Sequence, residues 1–180
     1  STLFPYTTLF RSSSRALKDV TEAYGQQYHA AAVGEVNVVA EMKRTHSVIG
    51  GEGNGGVIYP ESHYGRDALV GVGLFLSHYV AQSKKMTELK STYPPYFISK
   101  NKMTLSPDMD VDKILEGLKE RYATEKVTDI DGVKIDFAQG WVHLRKSNTE
   151  PIIRIYSEAK DEAAANQLAE EVIAAAKSTL

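Results

Sequence analysis

The chain has 180 residues, of which 42% are hydrophobic and 24% are charged, so it is long enough to bury one or two hydrophobic cores. Its 21 Lys and Arg residues against 23 Asp and Glu residues give a formal net charge of -2, which disfavours non-specific binding to nucleic acid. The absence of cysteine excludes disulfides, thiolate zinc sites and a cysteine nucleophile. It also suits a reducing compartment, so we expect a cytoplasmic protein. The longest apolar stretch, 69–80, is interrupted by polar residues and glycines and is too short to span a membrane.

The first twelve residues differ in character from the rest of the chain. Residues 2–12 read TLFPYTTLFRS, an apolar and aromatic run that lacks the basic start and the cleavage site of a signal peptide. The string resembles the conceptual translation of a sequencing-library adapter, although its Thr, Tyr and Phe residues would also suit a natural edge strand. We therefore expect residues 1–12 to be a non-native artefact that contributes no native strand. We also expect the natural protein to extend upstream, which leaves the sheet of the first domain incomplete at its N-terminus with one edge unpaired.

Residues 13–97 alternate between predicted helices and strands. Ser13 and Ser14 predict an N-cap for a first helix, which Gly25 is placed to end. Alternating elements of this kind predict βαβ units, and therefore an α/β domain with a mainly parallel sheet. Pro94 and Pro95 break the pattern, so a domain boundary is predicted near residue 97. The remaining predicted elements are a strand at 28–33, a helix at 35–45 with Val36, Val39 and Ala40 on one face, a strand at 47–50, and helices at 67–81 and through Leu89.

Residues 98–180 show a different arrangement, with several short strands between two helices. Asp131-Gly132 predicts a two-residue hairpin turn, because both central positions of that turn favour positive φ. Two helices and four or five antiparallel strands predict a small α+β domain. The predicted elements are strands at 97–105, 127–130, 133–137, 141–144 and 152–156, a helix from Val111 to Tyr122, and a closing helix with an apolar stripe from Ala165 to Ala176.

A glycine-rich run, GEGNGG at 51–56, formally satisfies the G-x-G-x-x-G dinucleotide fingerprint. That fingerprint requires a helix that begins within the glycines, whereas residues 57–60 are predicted to be extended and end at a proline. The remaining interpretations are a flexible turn, or a loop in which Glu52 and Asn54 hydrogen-bond to a ligand. A carboxylate beside an amide suits sugar hydroxyls, since the carboxylate accepts and the amide both donates and accepts.

A second polar cluster lies between two predicted strands. The sequence RKSNT at 145–149 provides two cations, two hydroxyls and an amide, and Arg154 follows on the next strand. A guanidinium can bind two phosphate oxygens at once, and charge-assisted hydrogen bonds contribute about 1.5–3 kcal/mol each. The pattern indicates a phosphate-binding loop, with an ordinary polar turn as the alternative. His143 alternates with Arg145 along the strand, and we expect it to be a hydrogen-bonded structural histidine.

The candidate metal ligands do not match a known site. Asp108, Asp110 and Asp112 form a D-x-D-x-D run, but Lys113 and Lys119 occupy the positions where a calcium EF-hand loop needs glycine and glutamate. These acidic residues come at the start of a predicted helix, where they would cap backbone amides and complement the helix dipole. The five histidines show no paired-ligand spacing. No residue is therefore predicted to bind a metal.

Together, the two loops resemble motifs of the α-D-phosphohexomutases. GGEGNGGVIYPESHYGRDAL, at 50–69, resembles the sugar-recognition loop of that family's third domain, and GWVHLRKSNTEPIIRIYSEA, at 140–159, resembles the phosphate-binding loop of its fourth. The resemblance covers 13–180 and is strongest to bacterial phosphoglucosamine mutases, with phosphomannomutases and phosphoglucomutases as alternatives. It implies that 13–97 is the third domain and 98–180 the C-terminal fourth domain.

The resemblance also implies roles for individual residues in the first of these domains. Glu52 and Asn54 match residues that contact sugar hydroxyls, although many members have serine at the second position. Gly34 and Glu35 fall where the family has a further substrate-contacting pair, often Gly followed by His or Asp. Gly56 stands where some members have a histidine proposed for proton transfer, so no general acid or base is predicted.

In the second domain the resemblance implies a phosphate site. Arg145, Ser147, Asn148 and Thr149 match the family's cradle for the phosphate distal to the reacting position, and Arg154 is placed to assist them.

The family's chemistry sets the expected function. Its members move a phosphoryl group between C1 and C6 of a hexose through a phosphoserine, which with a magnesium loop lies in upstream domains. We expect a fragment of such an enzyme, favouring glucosamine 6-phosphate and glucosamine 1-phosphate. Its partners would be the hexose phosphate and the missing upstream domains, Mg²⁺ would belong to the full-length protein, and the fragment alone would be inactive. The alternative is a free-standing, non-catalytic module that binds sugar phosphates or anions.

Overall fold

The structure is a computed structural model that describes residues 6–10, 13–106, 109–147 and 149–179, the first of these ranges through its backbone. Asp108 and Asn148, which the sequence analysis singled out, lie outside the described residues. The chain divides into two compact units, Ser1–Pro95 and Tyr96–Leu180.

The first unit is an α/β unit built on a mixed sheet. Its five strands lie in the order β2-β1-β3-β4-β5. Strand β1 is parallel to both of its neighbours, and β4 is antiparallel to both β3 and β5. The strands are β1 (Tyr6–Phe10), β2 (Gln27–Ala31), β3 (Ile49–Gly51), β4 (Val57–Tyr59) and β5 (His63–Arg66), and the helices are α1 (Arg15–Ala23), α2 (Glu35–Thr45), α3 (Ala68–Gln82) and α4 (Met86–Ser91).

Strand β1 corrects one expectation. We expected residues 1–12 to contribute no native strand and to leave one edge of the sheet unpaired, yet the backbone of Tyr6–Phe10 pairs with β2 on one side and with β3 on the other. The physical reason is composition, because four of the five residues are Tyr, Thr or Phe, which favour extended backbone. The sheet therefore has a strand where we expected an unpaired edge. The non-native origin of this segment stays a prediction.

Helix α2 has the predicted bounds, but of its predicted apolar face only Val39 packs against the core. Val38 and Met42 are fully buried and pack in a small core with Ala31 and Ile58. Val36, which was expected to face that core, is 81% exposed. Val38 and Met42 are four residues apart and so lie on one side of the helix, and the larger methionine side chain provides more apolar area than the predicted alanine.

Side-chain caps predicted from the sequence begin two helices. The Oγ atom of Ser14 accepts a hydrogen bond from the backbone N–H of Ala16 at 3.1 Å. In the second unit, Oδ1 of Asp110 accepts hydrogen bonds from Asp112 N at 3.0 Å and from Lys113 N at 3.2 Å. Asp110 therefore caps a helix, as expected. None of the described helices is long and apolar enough to cross a membrane.

The second unit confirms the predicted α+β arrangement. Its antiparallel sheet has the order β6-β10-β9-β8-β7, helix α6 packs on β6, β9 and β10, and α5 packs on α6 and β8. The core contains the fully buried side chains of Ile114, Leu118, Ile135, Val142, Leu144, Ile153 and Val172. The elements are β6 (Phe97–Thr104), α5 (Val111–Arg121), β7 (Lys126–Thr128), β8 (Val133–Asp136), β9 (Gly140–Lys146), β10 (Ile152–Ala159) and α6 (Glu162–Lys177).

The predicted hairpin forms between β7 and β8, but its turn differs from the predicted type. The loop spans residues 129–132, and Gly132 has φ +73° whereas Asp131 does not have positive φ. A two-residue turn of the predicted type needs positive φ at both positions, so that prediction is wrong. A Cβ at Gly132 would also lie 2.1 Å from the carbonyl oxygen of Leu144 on β9. This glycine is therefore required both by backbone conformation and by close packing.

We predict that Gly132→Ala lowers the unfolding free energy of the second unit by about 2–4 kcal/mol, because it combines strained φ with a steric clash against backbone. Trp141 is the sole tryptophan and is fully buried in this unit, so its fluorescence during urea denaturation is the measurement.

Gly117→Ala is the matched control. It lies inside α5, where alanine is favoured, and the three atoms nearest its new Cβ belong to the side chain of Thr179, the nearest at 2.8 Å, rather than to backbone. Equal losses of stability in the two variants would contradict the explanation.

Candidate functional site

The glycine loop at 51–56 connects β3 to β4 as a closed turn. The backbone N–H of Glu52 donates to the Gly56 carbonyl at 2.9 Å, and the N–H of Gly55 donates to the Glu52 carbonyl at 3.0 Å. Gly55 has φ +98°, which an L-residue rarely adopts. The chain continues from this loop into β4 rather than into a helix, so the loop lacks the helix N-terminus of a dinucleotide site.

Arg66, at the end of β5, holds three candidate residues together. Its Nε lies 2.7 Å from Oε2 of Glu35, and its Nη1 lies 3.2 Å from Oε2 of Glu52. The amide Nδ2 of Asn54 donates to the same Glu52 oxygen at 3.4 Å. The Glu52 side chain is only 8% exposed, whereas that of Arg66 is 49% exposed. The structure therefore gathers Glu35, Glu52 and Asn54 around one guanidinium that faces solvent.

Sequence reasoning did not identify Arg66 as a site residue. It stands 31 residues from Glu35 and 14 from Glu52, and only the folded sheet brings the three together. A signal was nevertheless present, because this arginine lies inside the quoted GRDAL segment at the end of the sugar-recognition motif.

Gly56 and Arg66 are sterically matched. A Cβ at Gly56 would lie 2.6 Å from Cδ of Arg66 and 3.1 Å from its Cγ. The aliphatic part of Arg66 therefore occupies the space in which a side chain at position 56 would begin. In this chain a histidine at position 56 would have to displace the arginine.

These residues line an open cleft of about 640 Å³. Its wall includes Glu35, Asn54, Gly56, Arg66 and Asp67, and α3 begins at its edge. The Val70 amide, followed by the His63 side chain and the Leu69 amide, holds the pKa of Asp67 below its usual value. The wall of the cleft therefore contains two carboxylates, those of Glu35 and Asp67, and one guanidinium.

Gly34 contributes through its backbone. It is the N-cap of α2 with φ +116°, and its carbonyl accepts hydrogen bonds from the N–H groups of Asn37 and Val38 at 3.1 Å. This geometry places Glu35 in the first turn of the helix, where its carboxylate is favoured by the helix dipole. The backbone of Gly34 therefore positions Glu35.

The second polar cluster lies between β9 and β10. Arg145 and Arg154 are direct cross-strand partners in the ladder and so project from the same face of the sheet. Arg154 Nη2 lies 3.1 Å from Oε2 of Glu150, whereas no described residue forms a salt bridge with Arg145. Two facing cations repel each other unless an anion lies between or beside them. This pair therefore favours an anion at the 145–149 loop.

The loop itself is held by Ser147, which is 7% exposed. Its backbone N–H donates to the Ile152 carbonyl at 3.0 Å, and its Oγ lies 3.5 Å from the backbone N of Thr149. Thr149 is exposed. The structure thus brings Arg145, Ser147, Thr149 and Arg154 to one connection, and Asn148 lies outside the described residues.

His143 is buried in the sheet, with 2% exposure. Its Nε2 lies within hydrogen-bonding distance of the Asp131 carbonyl, in the turn before β8. Burial is the main cause that lowers the pKa of His143, and the nearby charges of Lys134 and Arg145 lower it further. The residue therefore favours its neutral form and anchors the turn, as expected for a structural histidine.

The described residues contain no group of three or more His, Asp or Glu side chains that could hold a metal ion.

Comparison with known proteins gives two family matches that together cover most of the chain. Residues 10–96 match the model of the phosphoglucomutase/phosphomannomutase alpha/beta/alpha domain III, and residues 100–175 match that of the phosphoglucomutase/phosphomannomutase C-terminal domain.

Curated relatives match over the same region. A phosphoglucosamine/phosphogalactosamine mutase of Sulfurisphaera tokodaii is 37% identical over 163 residues, which is 89% of this chain and 36% of the relative. A phosphoglucomutase/phosphomannomutase of Thermococcus kodakarensis is 37% identical over 161 residues, or 88% of this chain and 35% of the relative. The chain thus spans little more than a third of the length of these relatives.

Solved structures share the fold. A phosphoglucomutase/phosphomannomutase family protein from Burkholderia thailandensis aligns with TM-score 0.78 and 21% identity, covering 97% of this chain and 38% of its own. An Aspergillus fumigatus N-acetylphosphoglucosamine mutase, in complex with GlcNAc-6P and magnesium, aligns with TM-score 0.60 and 14% identity over 98% of this chain and 39% of its own.

The lowered pKa of His143 predicts a pH dependence of stability. Because the unfolded chain takes up a proton near pH 6.5 that the folded chain resists, the unfolding free energy of the second unit should fall as pH drops below about 6.5. The loss attributable to this group is at most about 1.4 kcal/mol per pH unit. Urea denaturation followed by Trp141 fluorescence between about pH 7.5 and 5.5 measures it.

His143→Gln is the comparison variant, since its amide can still donate to the Asp131 carbonyl but does not titrate. The variant should lose that part of the pH dependence, and an unchanged slope would show that other groups cause it.

Proposed function

Because the chain belongs to the phosphoglucomutase/phosphomannomutase family and comprises its domain III and C-terminal domain, we propose that it is the substrate-binding part of a phosphohexomutase. The whole enzyme would interconvert hexose 6-phosphate and hexose 1-phosphate through an upstream phosphoserine. The observation that supports this proposal most strongly is the direct pairing of Arg145 with Arg154 beside the 147–151 connection, inside the matched C-terminal domain. Such an arrangement suits a phosphate dianion.

In the C-terminal domain, Arg145 would bind two phosphate oxygens with its planar guanidinium. Ser147, Asn148 and Thr149 would donate neutral hydrogen bonds around the same dianion. Arg154 would add charge from the next strand, in competition with its ion pair to Glu150. Because Arg145 and Arg154 project from paired strands, the phosphate position would be fixed by the sheet rather than by a mobile loop.

In domain III, Glu52 and Asn54 would contact sugar hydroxyls, with Asn54 and Glu35 in the wall of the cleft and Gly34 holding Glu35 in place. The acidic cleft suits hydroxyl donors, whose hydrogen bonds to carboxylates are charge-assisted. The role of Arg66 would be to fix the carboxylates of Glu35 and Glu52 in one orientation and to compensate one of their two negative charges.

The proposed chemistry depends on these contacts through positioning. Phosphoryl transfer gains most of its rate from oriented reactants and electrostatic stabilisation, so residues that hold the two ends of a hexose phosphate matter to the rate without touching the transferred group. The residues described in this chain do not form a metal site, and Asp110 is used as a helix cap. In the proposed enzyme the magnesium ion would be held by the upstream domains, as the family resemblance implies.

Glucosamine phosphates are the proposed substrates, with glucose and mannose phosphates as the alternative. The curated names of the two relatives at 37% identity divide in the same way, one being a phosphoglucosamine/phosphogalactosamine mutase and the other a phosphoglucomutase/phosphomannomutase. The proposed cellular location is the cytoplasm, whose reducing environment suits a chain without cysteine.

We predict that the chain binds glucosamine 6-phosphate without turning it over, and that Arg145→Ala weakens binding roughly 10- to 150-fold, the equivalent of one charge-assisted hydrogen bond. Isothermal titration calorimetry measures the affinity, and a coupled assay for glucosamine 1-phosphate measures turnover. Arg121→Ala removes an arginine from α5 in the same unit and should leave affinity unchanged. Equal losses in the two variants would refute the assigned phosphate site.

We further predict a different selectivity for Glu52→Ala. It should weaken glucosamine 6-phosphate binding but leave inorganic phosphate affinity nearly unchanged, because this carboxylate contacts hydroxyls and repels anions. Arg145→Ala should weaken both ligands. Parallel titrations of the two variants with both ligands test this division, and equal losses for both ligands in both variants would contradict it.

A further inference from the structure

Three cations lie side by side across three neighbouring strands of the second sheet. Arg154 on β10 is the direct cross-strand partner of Arg145 on β9 and also of Lys102 on β6. We call these three residues the cationic row. Adjacent strands lie about 5 Å apart, so the row spans roughly 10 Å. Like charges placed directly opposite each other destabilise a sheet, so the row is unfavourable unless an anion lies against it.

The side chains of the cationic row project from one face of the sheet. A neighbour of each along its strand, Met103, Ile153 or Leu144, packs in the core of the unit, on the side of the sheet where α5 and α6 lie. Successive side chains of a strand point to opposite faces. The three cations therefore project from the face that is turned away from this core.

Lys102 differs from the lysine nearest to it on the same strand and face. Lys102 is exposed, and none of the residues that the structure describes forms a salt bridge with it. Lys100 instead lies over an aromatic ring, with its Nζ 5.7 Å from the centroid of the Tyr156 ring. Lys102 is therefore the lysine of β6 that is available to an anion at the cationic row.

The position of β6 at the edge of the sheet offers another explanation for Lys102. A lysine on an edge strand discourages pairing with a second chain, and β6 is the end strand of its sheet. Any exposed position of β6 would serve that purpose equally well. It does not explain why Lys102 lies in register with two arginines.

Charge balance shows what Lys102 adds to the site. Nη2 of Arg154 lies 3.1 Å from Oε2 of Glu150, so one of the two arginine charges is already compensated. The single positive charge that remains does not match a phosphate monoester, which carries about 1.5 to 2 negative charges at neutral pH. Lys102 supplies the second positive charge.

We propose that Lys102 is the third cation of the phosphate site and that it selects a phosphate dianion over a monoanion of the same shape. Its ammonium is carried on a flexible four-carbon stem and acts as a point charge, so its attraction depends on the charge of the anion. The planar guanidinium of Arg145 recognises the arrangement of oxygens instead. This inference rests on the proposed function, because it adds a specificity-determining residue to the same site.

Isothermal titration calorimetry with glucosamine 6-phosphate and glucosamine 6-sulfate near pH 7.5 tests the proposal. Both esters present three terminal oxygens, but the phosphate is mainly a dianion at this pH and the sulfate is a monoanion. Lys102→Gln should weaken phosphate ester binding roughly 5- to 10-fold, because a dianion attracts a cation about twice as strongly as a carboxylate does. It should weaken sulfate ester binding only about 2- to 3-fold, since the Coulomb energy is proportional to charge.

Lys146→Gln is the matched control. Lys146 is exposed and directly follows Arg145, but it projects from the opposite face of the sheet. The variant should leave the affinity for both esters nearly unchanged. Lys102→Arg keeps the positive charge and should retain the preference for the phosphate ester.

Two results would overturn the proposal. Equal losses in Lys102→Gln and Lys146→Gln would show that only the overall field of the domain acts on the ligand. Equal losses for the two esters in Lys102→Gln would show that this residue does not discriminate between their charges.

Arg145→Ala separates the failure of this inference from the failure of the proposed function. If Arg145→Ala weakens phosphate ester binding and Lys102→Gln does not, the phosphate site stands without Lys102. If neither variant weakens it, or if the unaltered chain binds neither ester, the assigned phosphate site is itself wrong.

Discussion

The ion-pair network of Arg66 is the interaction on which the first site depends. Its guanidinium joins the first turn of α2 to the glycine loop through Glu35 and Glu52, two carboxylates that would otherwise repel each other near the same cleft. A lysine could not replace it, since the two carboxylates are reached by different nitrogens of a rigid, planar group. The orientation of the candidate sugar contacts therefore depends on a residue that need not itself touch the sugar.

The same network explains why the loop contains glycine at position 56. Any side chain there would begin within 3 Å of the Arg66 stem, so the glycine and the arginine form a compatible pair. A larger residue at position 56 would therefore require the Arg66 side chain to move. The residue at position 56 is thus coupled by packing to the residue at position 66, at the end of β5. Arg66 is also coupled to the loop by charge, through its ion pair with Glu52.

Local signals in the sequence predicted much of the fold, and longer-range packing accounts for what they missed. Ser14, Asp67 and Asp110 begin helices because each caps backbone N–H groups within three residues, which can be recognised from sequence alone. The buried face of α2 could not be recognised from sequence alone, because Val36 and Val38 are equally apolar. Only the contact of Val38 with Ala31 and Ile58 distinguishes the two valines.

The hairpin turn and Arg66 were missed for the same reason. Gly132 is needed mainly because β9 passes close to it, whereas the dipeptide pattern describes only the turn itself. Arg66 has partners 14 and 31 residues away, so no local motif could reveal its role. Its position within a segment quoted for its family resemblance was the available sign, and it became interpretable only once the sheet brought β5 beside the glycine loop.

Charge distinguishes what the two candidate sites can bind. In the first unit, Glu35, Glu52 and Asp67 outnumber Arg66, whose guanidinium is already engaged by two carboxylates. A phosphate dianion placed there would have to compete with both of them, whereas a hydroxyl can donate to a carboxylate without breaking either ion pair. In the second unit, Arg145 and Arg154 face each other with Glu150 as the described acidic partner, and an added anion relieves their repulsion. Under the proposed function, the hydroxyls of a hexose phosphate suit the first site and its phosphate suits the second.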